Sequence, residues 1–439
     1  MKIIQLPFCF YPDPVGGTEI YVESLCQSLQ KQGFDVIIAA PSDQNNSYIY
    51  KNLKIERFAI SEQVQNLREI YGEGDELGEI NFSEILEREK PDLIHLHAFT
   101  RGVSLRLVRC AKKRNIPVVF TYHTPTVSCQ RGTLLQWGKN ICDGKIDLHT
   151  CAKCALQSLG LNPISANIIG SIPHQIGDIL GDINISGGIF TALRMTELVN
   201  YRSTAFTDLM TEVDQIIAVC DWVKNVLRIN NVSSEKITVI RQGLCNPSNI
   251  EIKKEKKNNE VVKVVFLGRL DPTKGIEILI KTWRSLPKLT ATLDIYGISQ
   301  KGDRYKEYLL KLAENDSRIK FKEPVKADEV VITLAKYDLL AVPSQISETG
   351  PMVILEGYAA GIPVIGSNLG GITELVQHNV NGILVEANSI SDWGNKLENI
   401  CQNPQLLEEL VRGISPPETM VEVSEKMAEI YRKIGGKRC

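Results

Sequence analysis

Two carboxylates flank a Gly-Pro step in the segment SETGPMVILEG, residues 347–357. Glu348 precedes Gly350 and Pro351, and Glu356 follows them. A proline just inside a helix start, after a glycine, predicts free backbone N–H groups that can bind an anion. Glu348 beside such a site can accept hydrogen bonds from sugar hydroxyls, and Glu356 from a ribose diol. Alternatively, Glu348 only complements the helix dipole and Glu356 is a solvated helix residue.

Two basic residues occupy a second loop, within FLGRLDPTKGIEILI, residues 266–280. The pattern predicts a strand that ends at Gly268, an Asp-Pro turn, and a helix that begins near Gly275. Arg269 and Lys274 would then lie at the mouth of a sheet. A guanidinium fork and a compact ammonium together suit a diphosphate. The alternative is a pair of solvated surface cations.

A glycine pair lies in a third loop, DPVGGTEIYVESL, residues 13–25. Gly16 and Gly17 allow positive φ and the close approach of a ligand, while Thr18 could cap the following helix and Glu19 favours its first turn. The segment is not the G-x-G-x-x-G fingerprint, which argues against a dinucleotide-dependent oxidoreductase.

Three histidines fall at the ends of two predicted strands. His123, in FTYHTP, ends its strand most sharply and is the predicted hydrogen-bonding partner of a ligand. His95 and His97 share one face at a spacing of two residues, so one or both could be structural.

The elements that must position these residues are short Val/Ile-rich runs separated by helical stretches, which predicts parallel strands in an α/β fold. Six such runs precede a charged segment, IEIKKEKKNNE at 250–260, and six follow it. We expect two doubly wound, Rossmann-like domains facing a central cleft, with their ligands at the carboxyl ends of the strands. The predicted runs are KIIQLPF at 2, DVIIAA at 35, DLIHLH at 92, PVVFTYH at 117, QIIAVC at 215, KITVIRQG at 236, VVKVVFLGRL at 261, ATLDIYG at 291, RIKFKE at 318, DLLAVPS at 338, IPVIGS at 362 and NGILVE at 381.

The predicted boundaries follow from the charged linker. The first domain spans 1–249, with an insertion near 124–210, and the second spans 261–418. Residues 419–439 contain a terminal helix that could pack back on the first domain.

The insertion contains four cysteines in the pattern C-x12-C-x8-C-x2-C: Cys129, Cys142, Cys151 and Cys154. The closing C-x2-C has the spacing of metal ligands, and four thiolates can complete a structural zinc site. His149 is a spare candidate ligand. The alternative is a set of free or disulfide-paired cysteines. Apolar faces further along the insertion could cover an acceptor, touch a membrane surface or form core.

The overall charge argues against nucleic acid as a partner, because 50 basic and 52 acidic side chains provide no excess positive charge. The first residues resemble a strand more than a signal peptide, and no apolar run reaches the length of a membrane span. Eleven cysteines without a secretion signal favour reduced thiols. We therefore expect a cytoplasmic protein, with association at the inner face of the membrane left open.

Together these motifs resemble the retaining glycosyltransferases of family 4, whose fold is the two-domain GT-B arrangement. The segment GGTEIYVESLCQSLQKQGFDVIIAA is similar to the opening loop and helix of that family, and GRLDPTKGIEILI to its diphosphate loop. The stretch from PSQISETGPMVILEG to NGILV resembles its signature of two glutamates with seven residues between them. The resemblance extends over nearly the whole chain.

The resemblance implies a donor site in the second domain and an acceptor site in the first. Arg269 and Lys274 would bind the diphosphate of a nucleotide-sugar, and Glu356 the ribose. Glu348 would hold the sugar together with the backbone at Gly350, Pro351 and Met352. The base would stack near Pro324 and Val325, His123 would lie by the transferred sugar, and Gly16 and Gly17 would line the phosphates or the acceptor.

The function that this implies is retaining transfer of a hexose, glucose from UDP-glucose as the first choice, to a polysaccharide or lipid-linked glycan. No metal would be required for catalysis, because cationic side chains and helix N–H groups neutralise the leaving diphosphate. Two alternatives are a non-catalytic, nucleotide-sugar-binding partner subunit and a nucleotide-sugar epimerase of the same fold. The glutamate signature argues against the epimerase.

Overall fold

The structure is a computed structural model that describes residues 1–13, 16–184, 187–245, 261–298 and 303–436. It divides into two compact units: unit 1 comprises Met1–Arg241 with Met420–Cys439, and unit 2 comprises Gln242–Thr419. The predicted linker at 250–260 lies outside the described residues. Among those residues, no helix combines the length and apolar character needed to cross a membrane.

Unit 1 is built on a twisted sheet whose buried strands are rich in valine and isoleucine. Its strands are β1 (Lys2–Leu6), β2 (Asp35–Ser42), β3 (Asn46–Tyr50), β4 (Leu53–Ala59), β5 (Leu93–Leu96), β6 (Val118–Tyr122), β7 (Leu135–Gln136), β8 (Asn140–Ile141), β9 (Gln215–Ala218) and β10 (Ile237–Val239). The main sheet has the order β10-β9-β6-β5-β1-β2-β4-β3, and β7 and β8 form a separate hairpin. Neighbours pair in parallel except β3 with β4. Strands buried on both faces need near-continuous apolar runs, as the sequence has them.

The helices of unit 1 connect these strands and cover the sheet. They are α1 (Gly17–Lys31), α2 (Glu76–Glu89), α3 (Leu105–Lys112), α4 (Leu148–Ser158), α5 (Pro163–Ile169), α6 (His174–Asp182), α7 (Gly188–Leu193), α8 (Met195–Glu212) and α9 (Asp221–Ile229).

Unit 2 repeats the design with strands β11 (Val262–Arg269), β12 (Ala291–Ile298), β13 (Ile319–Lys322), β14 (Leu339–Val342), β15 (Val364–Ser367) and β16 (Gly382–Val385). All neighbours pair in parallel, in the order β13-β12-β11-β14-β15-β16. This is the Rossmann order, in which the chain reverses its direction of travel between β11 and β14. The loops that follow these two strands therefore meet at one edge of the sheet.

The remaining helices are α10 (Ile276–Ser285), α11 (Arg304–Ala313), α12 (Val330–Leu334), α13 (Met352–Ala359), α14 (Ile372–Leu375), α15 (Ile390–Gln402), α16 (Pro404–Arg412) and α17 (Met420–Gly435). The terminal helix α17 belongs to unit 1, where it packs on α1. Gln32 donates to Ser424 Oγ at 2.6 Å, and the ring of Tyr431 meets that of Phe34 edge to face.

The insertion between β6 and β9 contains its own small core, made by α4, α5 and α8. A buried charge cluster also fixes it. Glu197 in α8 is fully buried, and it accepts from Arg194 at 2.8 Å and from Arg68 at 2.6 Å. Because a buried carboxylate is costly without such partners, this pairing determines where α8 lies.

Candidate functional site

The loop after β11 forms a short turn, Pro272–Lys274, before α10 begins. Asp271 caps this turn by accepting from the backbone N–H of Thr273 at 2.8 Å. Gly275 then adopts φ +73°, and a Cβ at this position would lie 1.8 Å from the carbonyl oxygen of Pro343. Only glycine allows this approach. Residues 270–275 and 343–351, which we call the switch-point loops, therefore pack backbone against backbone.

Lys274 and Glu348 form an ion pair between the two switch-point loops. The Lys274 Nζ lies 2.6 Å from Glu348 Oε1, with 23% and 13% of the two side chains exposed. Ser344 Oγ donates to the same carboxylate oxygen at 2.7 Å. The Glu348 carbonyl accepts from the N–H of Gly371 at 2.7 Å. A cation and a carboxylate predicted from separate motifs are thus direct partners.

Ser344 and Gly371 are site residues that the sequence analysis missed. Each had a signal: Ser344 is the last residue of the run DLLAVPS, two positions after the end of β14, and Gly371 belongs to a Gly-Gly pair that follows β15. A Cβ on the preceding Gly370 would lie 2.8 Å from Ser347 Cα, so this pair also marks a close approach of two backbones.

The predicted helix after the Gly-Pro step is present and begins one residue later than expected. Pro351 is the N-cap and Met352 is the first residue of α13, so the prediction that Pro351 lies inside the helix was wrong by one position. The N-cap makes no side-chain capping hydrogen bond. At Gly350, a Cβ would lie 2.7 Å from the Gln242 Oε1 atom. The first N–H groups of α13 are the kind of donors that bind anions.

Glu356 lies on the second turn of α13 and is partly buried. Its carboxylate has no hydrogen-bond or ion-pair partner in the part of the chain that the structure describes. Burial raises the pKa of this carboxyl from its ordinary value to about 7. An acceptor held in this state is a candidate ligand-binding group.

The remaining predicted residues of unit 2 lie at the same edge or in a loop near it. Arg269 is exposed at the last position of β11, and its side chain has no ion pair within the described ranges. Pro324 is exposed and Val325 is partly buried in the loop after β13. The structure brings Lys274, Glu348 and the start of α13 together.

In unit 1, His95, His97 and His123 are all buried at or after the ends of β5 and β6. His97 Nδ1 and His123 Nε2 lie 3.0 Å apart. Burial lowers the pKa of His123 to about 3 and that of His97 well below the ordinary value, where the charges of neighbouring histidines add to the effect. The histidines are therefore neutral at physiological pH and serve as hydrogen-bonding groups.

The glycine loop begins α1 differently from the expectation. Gly16 is the N-cap with φ −112°, and Gly17 is the first helical residue, so neither of these two glycines uses positive φ. Thr18 is inside the helix, and the prediction that it caps α1 was wrong. Glu19 instead accepts from the Gly16 N–H at 2.8 Å.

The four cysteines of the insertion line one cavity of about 190 Å³. Burial raises the pKa of the Cys151 thiol to about 11, and the charges of the other three add to this shift. No disulfide joins the ten cysteines that the structure describes. In the described ranges, no three His, Cys, Asp or Glu side chains are arranged to hold a metal ion as they stand. His149 is engaged elsewhere, with Nδ1 3.0 Å from the Gly170 carbonyl.

Backbone N–H groups point at two of these sulfurs. The Trp137 N–H donates to Cys154 Sγ at 3.2 Å, and the Gly144 N–H to Cys142 Sγ at 3.5 Å. Burial raises the pKa of both thiols above the ordinary value, and these hydrogen bonds partly oppose that shift. The four thiols line one cavity, and the metal site stays a prediction.

Comparison with known proteins identifies both halves of the chain. Residues 15–144 match the model of "Glycosyltransferase Family 4", and residues 248–414 match "Glycosyl transferases group 1". The D-inositol 3-phosphate glycosyltransferase of Rhodococcus jostii is 32% identical over 155 residues, which is 34% of each chain. The alignment thus spans about a third of the length of this curated relative.

Solved structures share the fold over the full length. Sucrose-phosphate synthase from Thermosynechococcus elongatus superposes with a TM-score of 0.69 at 17% identity, covering 100% of both chains. Anabaena HepE in complex with UDP-glucose gives a TM-score of 0.62 at 16% identity, covering 99% of this chain and 100% of the other. Two family models in the expected order, on two parallel α/β units, lead to one conclusion: the chain belongs to the GT4-like glycosyltransferases and has the GT-B fold.

Proposed function

We propose that the chain transfers a hexose with retention from a nucleotide-sugar to a polysaccharide or lipid-linked glycan, with UDP-glucose as the first donor to test. The observation that carries the proposal is the Lys274–Glu348 ion pair at the switch point of unit 2. It places a cation and a carboxylate where nucleotides bind in open parallel sheets.

Two kinds of group would bind the two parts of the donor: positively charged groups the diphosphate, and a carboxylate the sugar. Arg269, Lys274 and the first N–H groups of α13 supply positive potential for the diphosphate, which is a leaving group that needs charge neutralisation and no metal. Glu348 supplies an acceptor for the sugar hydroxyls. The backbone at Gly350, Pro351 and Met352 would hold the sugar together with Glu348.

The other predicted contacts extend this assignment. Glu356 would accept from the ribose diol, and the base would stack near Pro324 and Val325. His123 would contact the transferred sugar, and Gly16 and Gly17 the phosphates or the acceptor. HepE, a structural neighbour of the same fold, is described as bound to UDP-glucose, which supports that donor as the first to test.

Binding and turnover of nucleotide-sugars test the proposal directly. A thermal-shift screen with UDP, UDP-glucose and their ADP and GDP counterparts should show stabilisation by one nucleotide class, because a ligand that binds only the folded state raises its stability. Release of UDP without acceptor distinguishes an enzyme from a binding-only partner subunit. The anomeric configuration of the product distinguishes retention from inversion, and recovery of an epimerised donor would instead support the epimerase.

A structural zinc ion is the proposed cofactor of the insertion. Between Cys129 and Cys142 the chain forms little regular structure, and Leu134 and Trp137 have positive φ values of 49° and 59°. Such strained residues persist only where their surroundings hold them in place. A four-thiolate zinc site would provide that support without taking part in catalysis.

A membrane or the lipid part of an acceptor is the proposed partner of a second surface on the insertion. Seven large apolar side chains on or beside α5, α6 and α7 are 43% to 75% exposed, and we call them the insertion's apolar face: Ile164, Ile168, Ile176, Ile179, Ile183, Ile189 and Phe190. Residues 155–190 contain no Lys or Arg and only two acidic residues, Asp178 and Asp182. An apolar surface without basic residues suits hydrophobic insertion into a lipid interface more than attraction to anionic lipids.

A further inference from the structure

A chain of hydrogen bonds links His123 to the interior of unit 1. His123 Nε2 lies 3.0 Å from His97 Nδ1, and His97 Nε2 lies 2.6 Å from Gln5 Oε1. All three side chains are buried, and Gln5 is fully so. Each link has a direction, because a neutral imidazole has one donor and one acceptor nitrogen.

The chain continues to the C-terminal helix. Gln5 Nε2 donates to the phenol oxygen of Tyr431 at 3.3 Å. The same oxygen lies 2.6 Å from His95 Nδ1, and His95 Nε2 lies 2.7 Å from Thr121 Oγ1. Tyr431 and His95 are both fully buried, so water does not replace these bonds. We call the residues Gln5, His95, His97, Thr121, His123 and Tyr431 the histidine network.

Tyr431 stabilises the orientation in which the Gln5 amide lies, with Nε2 toward the phenol oxygen and Oε1 toward His97. Its single proton is available for His95 Nδ1, and its oxygen then accepts from an N–H group. Without the hydroxyl, the Gln5 N–H group would face no acceptor in a buried site, which is unfavourable. Gln5 is therefore held with its own oxygen toward His97.

That orientation fixes the protons of both histidines beyond it. His97 must donate from Nε2 to Gln5 Oε1, which leaves His97 Nδ1 as an acceptor because the ring is neutral. His123 must then donate from Nε2. In this tautomer, His123 Nδ1 carries no proton and can only accept.

We propose that Tyr431, on the C-terminal helix α17, is a positioning residue that fixes the His123 proton on Nε2 through Gln5 and His97. The assignment rests on the proposed function in one respect, namely that His123 contacts the transferred sugar. A ring fixed in this way offers Nδ1 only as an acceptor to a sugar hydroxyl. The last helix of the chain thus helps to set the chemistry of a residue far away in sequence.

The tautomer can be measured without any ligand. In protein labelled with ¹⁵N-histidine, long-range ¹H–¹⁵N correlation should show His123 with its proton on Nε2; the signal is assigned by its loss in His123→Gln. Tyr431→Phe removes only the hydroxyl, and it should give a mixture of tautomers or the Nδ1–H form. An Nδ1–H ring in the wild-type protein, or an unchanged spectrum in Tyr431→Phe, would overturn the proposal.

Kinetics with UDP-glucose provide the second readout. Tyr431→Phe should lower kcat about three- to tenfold, because the hydrogen bond between His123 and the sugar would be misdirected. The KM for the donor should stay within about twofold of the wild-type value. Ser424→Ala is the matched control, because it removes a partly buried hydrogen bond between α17 and Gln32, the C-cap of α1, without touching the histidine network. Equal kcat values in the two variants would show a merely structural role. If no nucleotide-sugar is turned over by the wild type, the proposed function fails while the spectrum still decides the inference.

A second pair of variants covers the case in which Tyr431→Phe does not fold. In His97→Asn, the side-chain oxygen can take the place of Nδ1 and still accept from His123, whereas His97→Leu cannot accept. Asparagine should preserve the Nε2–H signal of His123 and most of kcat, and leucine should lose both. Loss of the Nε2–H signal in both variants, or its retention in both, would contradict the proposed role of His97.

Discussion

The Lys274 ammonium lies 2.6 Å from the Glu348 carboxylate, across two loops that follow neighbouring strands of unit 2. A diphosphate that binds Lys274 must therefore share this cation with Glu348. The carboxylate opposes the nucleotide's negative charge while it provides an acceptor for the sugar. Diphosphate binding by Lys274 and sugar binding by Glu348 are therefore coupled. Single substitutions at the two positions should change UDP affinity in opposite directions.

We predict that Lys274→Ala weakens UDP binding at least tenfold, because it removes a charge-assisted contact and leaves Glu348 facing the phosphates. Glu348→Gln should bind UDP as well as wild type or more tightly, since it removes that opposing charge, and should lower transfer at least tenfold. Calorimetric titration and initial rates measure the two effects. Lys281→Ala, in an exposed ion pair with Glu277, is the control and should behave as wild type. Weaker UDP binding by Glu348→Gln would contradict this coupling.

Arg269→Ala should weaken UDP binding and slow transfer by about tenfold to a hundredfold, because the exposed guanidinium is the second cation proposed for the diphosphate. Arg269→Lys keeps the charge and loses the planar fork, so it should recover only part of the affinity. Titration with UDP and with uridine separates phosphate from nucleoside binding. Equal uridine affinity in all three proteins is expected. A uridine defect as large as the UDP defect would place Arg269 elsewhere.

Much of unit 2 could be predicted from sequence because central strands such as β14 and β15 are continuous buried runs and its loops contain strong turn residues. All twelve predicted runs form strands. Four strands were not predicted: β3 and β4, whose mixture of polar and apolar residues differs from a continuous apolar run, and the two-residue strands β7 and β8. The edge strand β3 is largely exposed and gives a weaker signal, whereas β4 is buried but its apolar pattern is interrupted by Lys54, Glu56 and Arg57.

Contacts between residues distant in sequence were harder to predict than the residues themselves. Lys274 and Glu348 were each singled out, yet their ion pair depends on the reversal of strand order between β11 and β14. Tyr431 gave no signal at all, because a tyrosine at helical spacing in a terminal helix is ordinarily core. Its role depends on which buried groups the fold places around its hydroxyl.

The pH dependence of UDP binding should report the ionisation of Glu356. Its pKa is raised to about 7 by burial, above the ordinary 4.5, so the carboxyl is largely protonated below pH 7. A ribose diol donates to the ionised form, and UDP affinity should therefore rise with pH between about 6 and 8. Because a terminal phosphate also titrates near pH 6, the comparison is with Glu356→Gln, which should lack the Glu356 component. Identical pH profiles in the two proteins would refute the ribose role.

Stability of the unliganded protein should have the opposite pH dependence at this position. Between about pH 4.5 and 7, the folded state holds a proton on Glu356 that the unfolded state releases. The free energy of unfolding contributed by this group therefore falls as the pH rises through that window. Glu356→Gln should remove this contribution. The melting temperature of the variant minus that of wild type should therefore increase as the pH rises. Melting curves of both proteins over this range measure the difference.

Protein purified without added metal should contain about one zinc per chain if the four insertion cysteines form a structural site. Cys151→Ser or Cys154→Ser should lose the metal, whereas Cys401→Ser, outside the cavity, should retain it. Elemental analysis gives the stoichiometry. Chelation should expose the insertion to proteolysis and leave UDP binding unchanged, because metal binding is coupled to local folding. Metal-free protein with four titratable thiols would contradict the site.

The last prediction concerns the insertion's apolar face, which should bind vesicles of neutral phosphatidylcholine. Binding driven by apolar side chains on a segment almost without charge should change little between low and high salt, unlike attraction to anionic lipids. Ile168→Asp or Ile179→Asp places a charge on a side chain that is 66% exposed, and should reduce co-sedimentation at least about tenfold. Ile49→Asp, 68% exposed on β3, is the matched control and should leave binding intact. Equal losses in all three variants would mean that no particular face binds lipid, and binding only to anionic vesicles would mean that charge, rather than the apolar face, attracts the protein.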